Sequence, residues 1–252
     1  MYLAYKENIF CDDTFYTAPS ISDQLLITRI YSKDLHTFFT TSFCLMKNKE
    51  QKNYENVFKE IKNNIIKYSH NKVYSPKEFH CDFEIYIPNA FLKIFPNTKI
   101  RYCLWHMIRS LENKAKIYIH EDKNLYFLYK CILNLPFIDP NYVEDLFNYI
   151  KEKNTNDNFN HFFDYFKDNY IDKYGIKNWN YFENIKNTIN NCCEAYNNKL
   201  NNLFNKKPTY FELLYKLREE EDLIRKEHIR LTTGIWSSKK NYEADLMKKI
   251  YV

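Results

Sequence analysis

The chain has 252 residues, is 45% hydrophobic and 18% aromatic, and so holds enough apolar material for one large core or for one domain with an inserted helical part. A formal charge of +5 permits contact with a polyanion without requiring it. Seven scattered cysteines, odd in number and with no secretory apolar segment before them, argue against a disulfide framework and for reduced thiols, and no stretch approaches the ~20 apolar residues of a membrane span. Two glycines against many Lys, Asn, Ile, Tyr and Phe residues read as an A+T-rich coding bias.

No internal repeat and no Pro/Gly/Ser linker divides the chain. Residues 7–15 (ENIFCDDTF) lead from β-type residues into a polar turn. Residues 24–31 and 36–45 are rich in β-branched and aromatic side chains, with a Ser-Lys-Asp turn between them, and predict two more strands of an antiparallel meander. Tyr54, Val57, Phe58, Ile61, Ile65 and Ile66 fall at helical spacing and predict a helix over 52–68. A strand over 78–83 follows, then a helix over 85–95 stopped by Pro96, a strand over 98–103 and a helix over 104–117. The order β-β-β-α-β-α-β-α resembles that of RNase H-like domains, an α/β class with a mixed sheet covered by crossover helices.

Beyond residue 117 the strand signal fades. Helices are predicted over 125–133, 142–151, 159–170, 188–204 and 209–231, with Pro208 at the start of the last, where a missing N–H costs little. The expected organisation is a first part of an RNase H-like core over 1–118, an α-helical insertion over 119–185, and C-terminal helices completing the core over 186–252.

Asp12 and Asp13 close the first predicted strand, and Asp82 closes the fourth, in His80-Cys81-Asp82-Phe83-Glu84. In an RNase H-like sheet these two strands are parallel neighbours, so carboxylates at their C-terminal ends approach each other. Two acids that close repel unless one is protonated or a cation lies between them. Oxygen donors and a phosphate substrate point to Mg²⁺ or Mn²⁺, and a pair of such ions can activate an attacking oxygen and stabilise a leaving one. With 32 acids in the chain, a solvated turn is the competing account of Asp12.

Cys11-Asp12-Asp13-Thr14-Phe15, followed by Pro19 and Gln24-Leu25, resembles the D-G-T-F … P … Q-L opening of the Mutator-like (MULE) transposase domain. Asp82-Phe83-Glu84 is similar to its D-F-E, Phe95-Pro96 with Cys103-Leu104-Trp105-His106 to its F-P … C-x-x-H, and Asn190-Asn191-Cys192-Cys193-Glu194 to its N-N-x-x-E. The matches come in order from 12 to 196, and the region through Gly234 also looks family-like. The resemblance implies a DDE-type transposase in which Asp12, Asp82 and Glu194 are the catalytic, metal-binding triad, 70 and 112 residues apart. It implies hydrolysis of a DNA phosphodiester followed by attack of the 3′-OH on target DNA, with Mg²⁺ or Mn²⁺ as cofactor. The implied partners are transposon ends and target DNA. No membrane is expected, a homo-oligomer is an admissible assembly, and a DNA substrate places the protein in the nucleus.

Three departures stand out. Asp13 occupies the usual glycine position, where it could add a ligand or spoil the site. After Glu194 the family often has Trp-His, whereas Tyr196-Asn197 here is expected to remove a polar or imidazole contact. The chain starts 11 residues before Asp12 without the usual N-terminal DNA-binding region, which suggests a truncated copy, a fragment or a transposon-derived host protein.

Cys103 and His106 have half of a zinc ligand set, and structural zinc needs four ligands. The expectation is therefore no Zn²⁺, with Cys103 in the core and His106, like Asp13, accessory to the acids. Lysines interleaved with aromatics in the helical half could contact nucleic acid, although Tyr and Phe at helical spacing fit a core. Three functions compete: an active transposase core, a catalytically inactive transposon-derived protein that binds DNA or a partner, and a stand-alone RNase H-like nuclease.

Overall fold

The computed structural model describes residues 1, 5, 7–68, 74–120, 122–183, 191–204 and 207–234. The chain divides into two compact units, one drawn from Met1–Lys99 with Asn191–Val252 and the other from Ile100–Asn190. No helix among the described residues is long and apolar enough to cross a membrane.

A five-stranded mixed sheet runs in the order β3-β2-β1-β4-β5. Its strands are β1 (Asn8–Thr14), β2 (Gln24–Ser32), β3 (Thr37–Met46), β4 (Glu78–Cys81) and β5 (Lys99–Tyr102). The first three form the expected antiparallel meander, with a register shift between Thr28 and Arg29. His36, at φ 48°, takes the left-handed turn conformation that starts the return into β3. β4 joins β1 in parallel, a pairing that needs a crossover, which α1 (Gln51–Tyr68) provides.

Alternation along the strands sorts their side chains onto two faces. On one face, α1 and α2 (Tyr86–Ile94) cover the sheet, and Phe79 of β4 lies between Phe58 and Phe91. On the other, Leu25 and Ile27 of β2 pack in one cluster with Tyr196 and Leu200 of α8 (Asn191–Leu203), Phe204 just after it, and Leu213 and Leu217 of α9 (Tyr210–Thr232). The apolar residues of α8 recur at helical spacing, so one stripe of it is buried. α9 begins with a capping-box pattern: the Thr209 hydroxyl accepts from the Glu212 N–H at 3.2 Å. Thr209 is thus the N-cap, and Pro208 precedes the helix instead of opening it.

The second unit is helical: α3 (Leu104–Ile119), α4 (Lys123–Asn134), α5 (Val143–Glu152), α6 (Asn160–Phe166) and α7 (Ile176–Trp179). Asp122 caps α4 by accepting from the N–H groups of Asn124 and Leu125. α6 continues as a π-helical segment over Lys167–Lys173. The core here is aromatic, with Phe147, Phe159, Phe162, Phe163, Phe166 and Trp179 all buried. The Trp179 indole N–H donates to the Tyr170 carbonyl at 2.6 Å, which satisfies the one polar atom of that buried ring.

Candidate metal centre

The parallel ladder of β1 and β4 pairs Asn8 with Glu78, Ile9 with Phe79 and Phe10 with His80, a constant offset of 70 residues. Continued two steps, the same offset sets Asp12 beside Asp82. The 70-residue spacing of the two acids equals the offset of the two strands. Neighbouring strands lie roughly 4.8 Å apart and register-matched side chains share a face. Accordingly, Asp12 and Asp82 each present a carboxylate oxygen within 4.8 Å of the other. Asp82 lies just past the end of β4, one residue beyond Cys81. The stacked rings of Phe10 and His80, 4.3 Å between centroids, occupy the preceding position on the same face.

Asp12 is 4% exposed. Its Oδ1 accepts from the Asp13 backbone N–H at 2.9 Å, and its Oδ2 accepts from Asn197 Nδ2 at 2.7 Å. Two carboxylates this close, with one held by N–H donors, suit a hard divalent cation with oxygen ligands. The donor chemistry of the pair therefore fits Mg²⁺ or Mn²⁺. Cys11 and Cys81 precede the two acids and point to the opposite face. Burial, followed by the charge of Cys81 and of the nearby aspartates, raises the Cys11 thiol well above its usual value.

Asp13 faces away from Asp12, as alternation requires, and meets Lys49 at 3.2 Å. The Lys49 amine also donates to Glu84 of the D-F-E stretch at 2.5 Å and sits 4.6 Å above the Phe15 ring. Behind it, Gln24 Nε2 donates to the Tyr54 hydroxyl at 2.8 Å and that hydroxyl donates to Glu84 at 2.7 Å. Burial foremost, with the Glu84 bond behind it, holds the Tyr54 phenol well above its usual value, so it remains a donor. Partial burial opposes the Lys49 charge, but Glu84 and Asp13 outweigh it and raise the amine above the ordinary 10.5. A raised lysine stabilises the fold fully below its unfolded value and ceases to do so as pH rises through the folded value. Lys49→Gln is thus expected to lower stability by about 1 kcal/mol at neutral pH, in urea melts, with the deficit closing well above pH 10.5. An unchanged deficit at high pH would rule out this charge pairing. Tyr54→Phe breaks the same chain of bonds at its buried end and is expected to cost about 1 kcal/mol by the same measurement.

Of the expected triad, Glu194 stands on α8, but its side chain, like those of Asn191 and Cys192, lies outside the described residues, as does Asn190 altogether. One turn further along α8, Asn197 corrects the expectation that Tyr196-Asn197 removes a polar contact. Its amide reaches Asp12, and Tyr196 is buried, with its hydroxyl on Glu220 at 3.2 Å and Arg29 stacked 4.7 Å from its ring centroid. Glu220 was not singled out by the sequence; it is 4% exposed and also accepts from Lys199 at 2.6 Å. Only the docking of α8 on β1 reveals these contacts, since Asn197 and Asp12 are 185 residues apart.

Cys103 and His106 belong to the helical unit. Cys103 is buried at the N-cap of α3 with an extended backbone. His106 is half-buried in the first turn, with the Trp105 ring edge-on at 4.9 Å, and its imidazole is a candidate ligand group.

Comparison with curated proteins returns no match to the chain. Residues 8–110, which carry both aspartates, the D-F-E stretch and the C-x-x-H pair, match the family model of the MULE transposase domain.

Proposed function

We propose that the chain carries the catalytic core of a MULE-type DDE transposase on an RNase H-like sheet. The observation that carries this reading is the approach of Asp12, on β1, and Asp82, just past the end of the parallel neighbour β4, to within 4.8 Å, inside the segment that matches the transposase domain. Asp12 and Asp82 bind a divalent cation, Mg²⁺ or Mn²⁺, and Glu194 on α8 completes the donor set. Asp13, Cys103 and His106 are accessory. Residues 119–185 are an inserted helical segment between the second aspartate and the glutamate.

When bound, the metal supplies charge neutralisation at the scissile phosphate and activation of the attacking oxygen. Asp12, held by the Asp13 N–H and the Asn197 amide, keeps its carboxylate aimed without reorganisation. The substrate is DNA, at transposon ends and at the target, and the place of action is the nucleus. Oligomerisation through a second copy would bring two ends together.

The test is calorimetric titration of Mn²⁺ into the chain, followed by incubation with supercoiled DNA bearing inverted repeats. Saturable Mn²⁺ binding and metal-dependent nicking are expected. A chain that binds no Mn²⁺ refutes the metal reading. Binding without nicking, even with an added DNA-binding region, favours a catalytically inactive, transposon-derived DNA- or protein-binding protein. The Asp13–Lys49 pair at the usual glycine position is the observation on that side.

A further inference from the structure

We infer that Asn197 is the positioning residue for Asp12, an N–H donor that fixes the carboxylate for metal binding. The inference rests on the metal reading above and adds a residue to it. Asn197 is 9% exposed, and its Nδ2 lies 2.7 Å from Asp12 Oδ2 and 3.4 Å from the Asp13 carbonyl oxygen. Both neighbours are acceptors, so only the NH₂ side of the amide can face them, and its orientation follows from chemistry.

A carboxylate oxygen has two lone pairs. The Asp13 N–H occupies one acceptor position on Oδ1 and Asn197 one on Oδ2, so each oxygen is held by an N–H donor. The rotamer is thus held through both oxygens. The helix that carries Asn197 is packed on the sheet: Cys193 meets Phe10, and Tyr196 and Leu200 cluster with Leu25 and Ile27 of β2.

A second observation separates this role from plain packing. Asn197 Oδ1 is buried and meets no donor among the described residues. Leaving a buried acceptor unmet costs stability. An apolar side chain of similar volume would fill the same place without an unmet acceptor. The hydrogen bonds of this amide are made by its Nδ2 end, on Asp12 and on the Asp13 carbonyl. A histidine at 197 would carry an Nδ1–H the same number of bonds from the backbone as the asparagine Nδ2.

The experiment compares wild type with Asn197→Leu, Asn197→Ser and Asn197→His in the full chain, reading Mn²⁺ affinity by calorimetry and ligand-field order by Mn²⁺ paramagnetic resonance. Circular dichroism and melting without metal check the fold. Leu and Ser are expected to weaken Mn²⁺ binding by about 10–100-fold, the range usual for partners that orient a metal ligand, while His stays within about 3-fold of wild type. The serine variant is small and polar and carries the comparison where the leucine variant does not fold. Wild-type affinity in either Leu or Ser, or a His variant as weak as they are, overturns the inference and leaves the metal site standing. A wild-type chain without Mn²⁺ binding is a different failure, that of the metal site itself.

Discussion

Asp12→Asn is expected to lower Mn²⁺ affinity by at least about 100-fold, more than the loss of an orienting partner produces, and to reduce metal-dependent DNA cleavage by on the order of 10³-fold. The cause is electrostatic. Asparagine keeps the volume of the side chain but removes the negative charge that a divalent cation requires. Two carboxylate oxygens within 4.8 Å are costly together without a cation, and in the proposed site they are two of the cation's ligands. The stability change runs differently. The amide introduced by Asp12→Asn can still accept one of the two hydrogen bonds now made by the Asp13 N–H and Asn197, a loss of about 1 kcal/mol. Relief of repulsion with Asp82 acts in the opposite sense. Melting without metal is therefore expected to change little while Mn²⁺ binding collapses. If Asp12→Asn binds Mn²⁺ as wild type does, the pair is not the metal centre.

Phe79→Ala should give the largest loss of stability. Phe79 is fully buried, stacked on Phe91 at 3.7 Å between centroids and edge-on to Phe58 at 5.6 Å. Truncation removes the central ring of three and leaves a cavity that two helices and a strand cannot all close. The expected cost is about 3–5 kcal/mol, and a midpoint lower by roughly 6–20 °C. That is a large share of the roughly 5–15 kcal/mol that holds a typical domain folded. The site should feel it too, because Phe79 sits on β4 three residues before Asp82 and on the opposite face. Urea melts and Mn²⁺ titration on the same variant read both effects. A loss below about 1 kcal/mol would show that this aromatic layer does not anchor β4.

The helix-versus-strand outline was legible because its signals are local. β-branched and aromatic runs in 24–31 and 36–45 became β2 and β3, and the helical spacing of Tyr54, Phe58 and Ile65 became α1. Asp12 and Asp82 were legible as candidates because each follows a strand run. α7, of four residues, was not, since it is shorter than any window in which periodicity can be counted. The end of β4 was placed two residues too far, because a strand's last residue depends on its neighbour more than on its own side chain.

Asp13 shows where local reading ends. From the sequence it could add a ligand or spoil the site; alternation turns it from Asp12, and Lys49, which no local pattern connects with it, takes up its charge. Asn197 was read as a lost contact and is instead the partner of Asp12.

The amino-acid sequence by itself determined which segments become strands and helices, which of them carry acids at their ends, and the 70-residue spacing of the two aspartates. The tertiary structure alone decided that this spacing equals the offset of the two strands, that Asp13 pairs with Lys49, and that Asn197 reaches Asp12. The division has a physical cause. Backbone preference and apolar periodicity act over a few to some eighteen residues and leave their mark in the chain. The approach of two side chains 185 residues apart is set by how sheet and helices close on each other, through many packing contacts of which none is local.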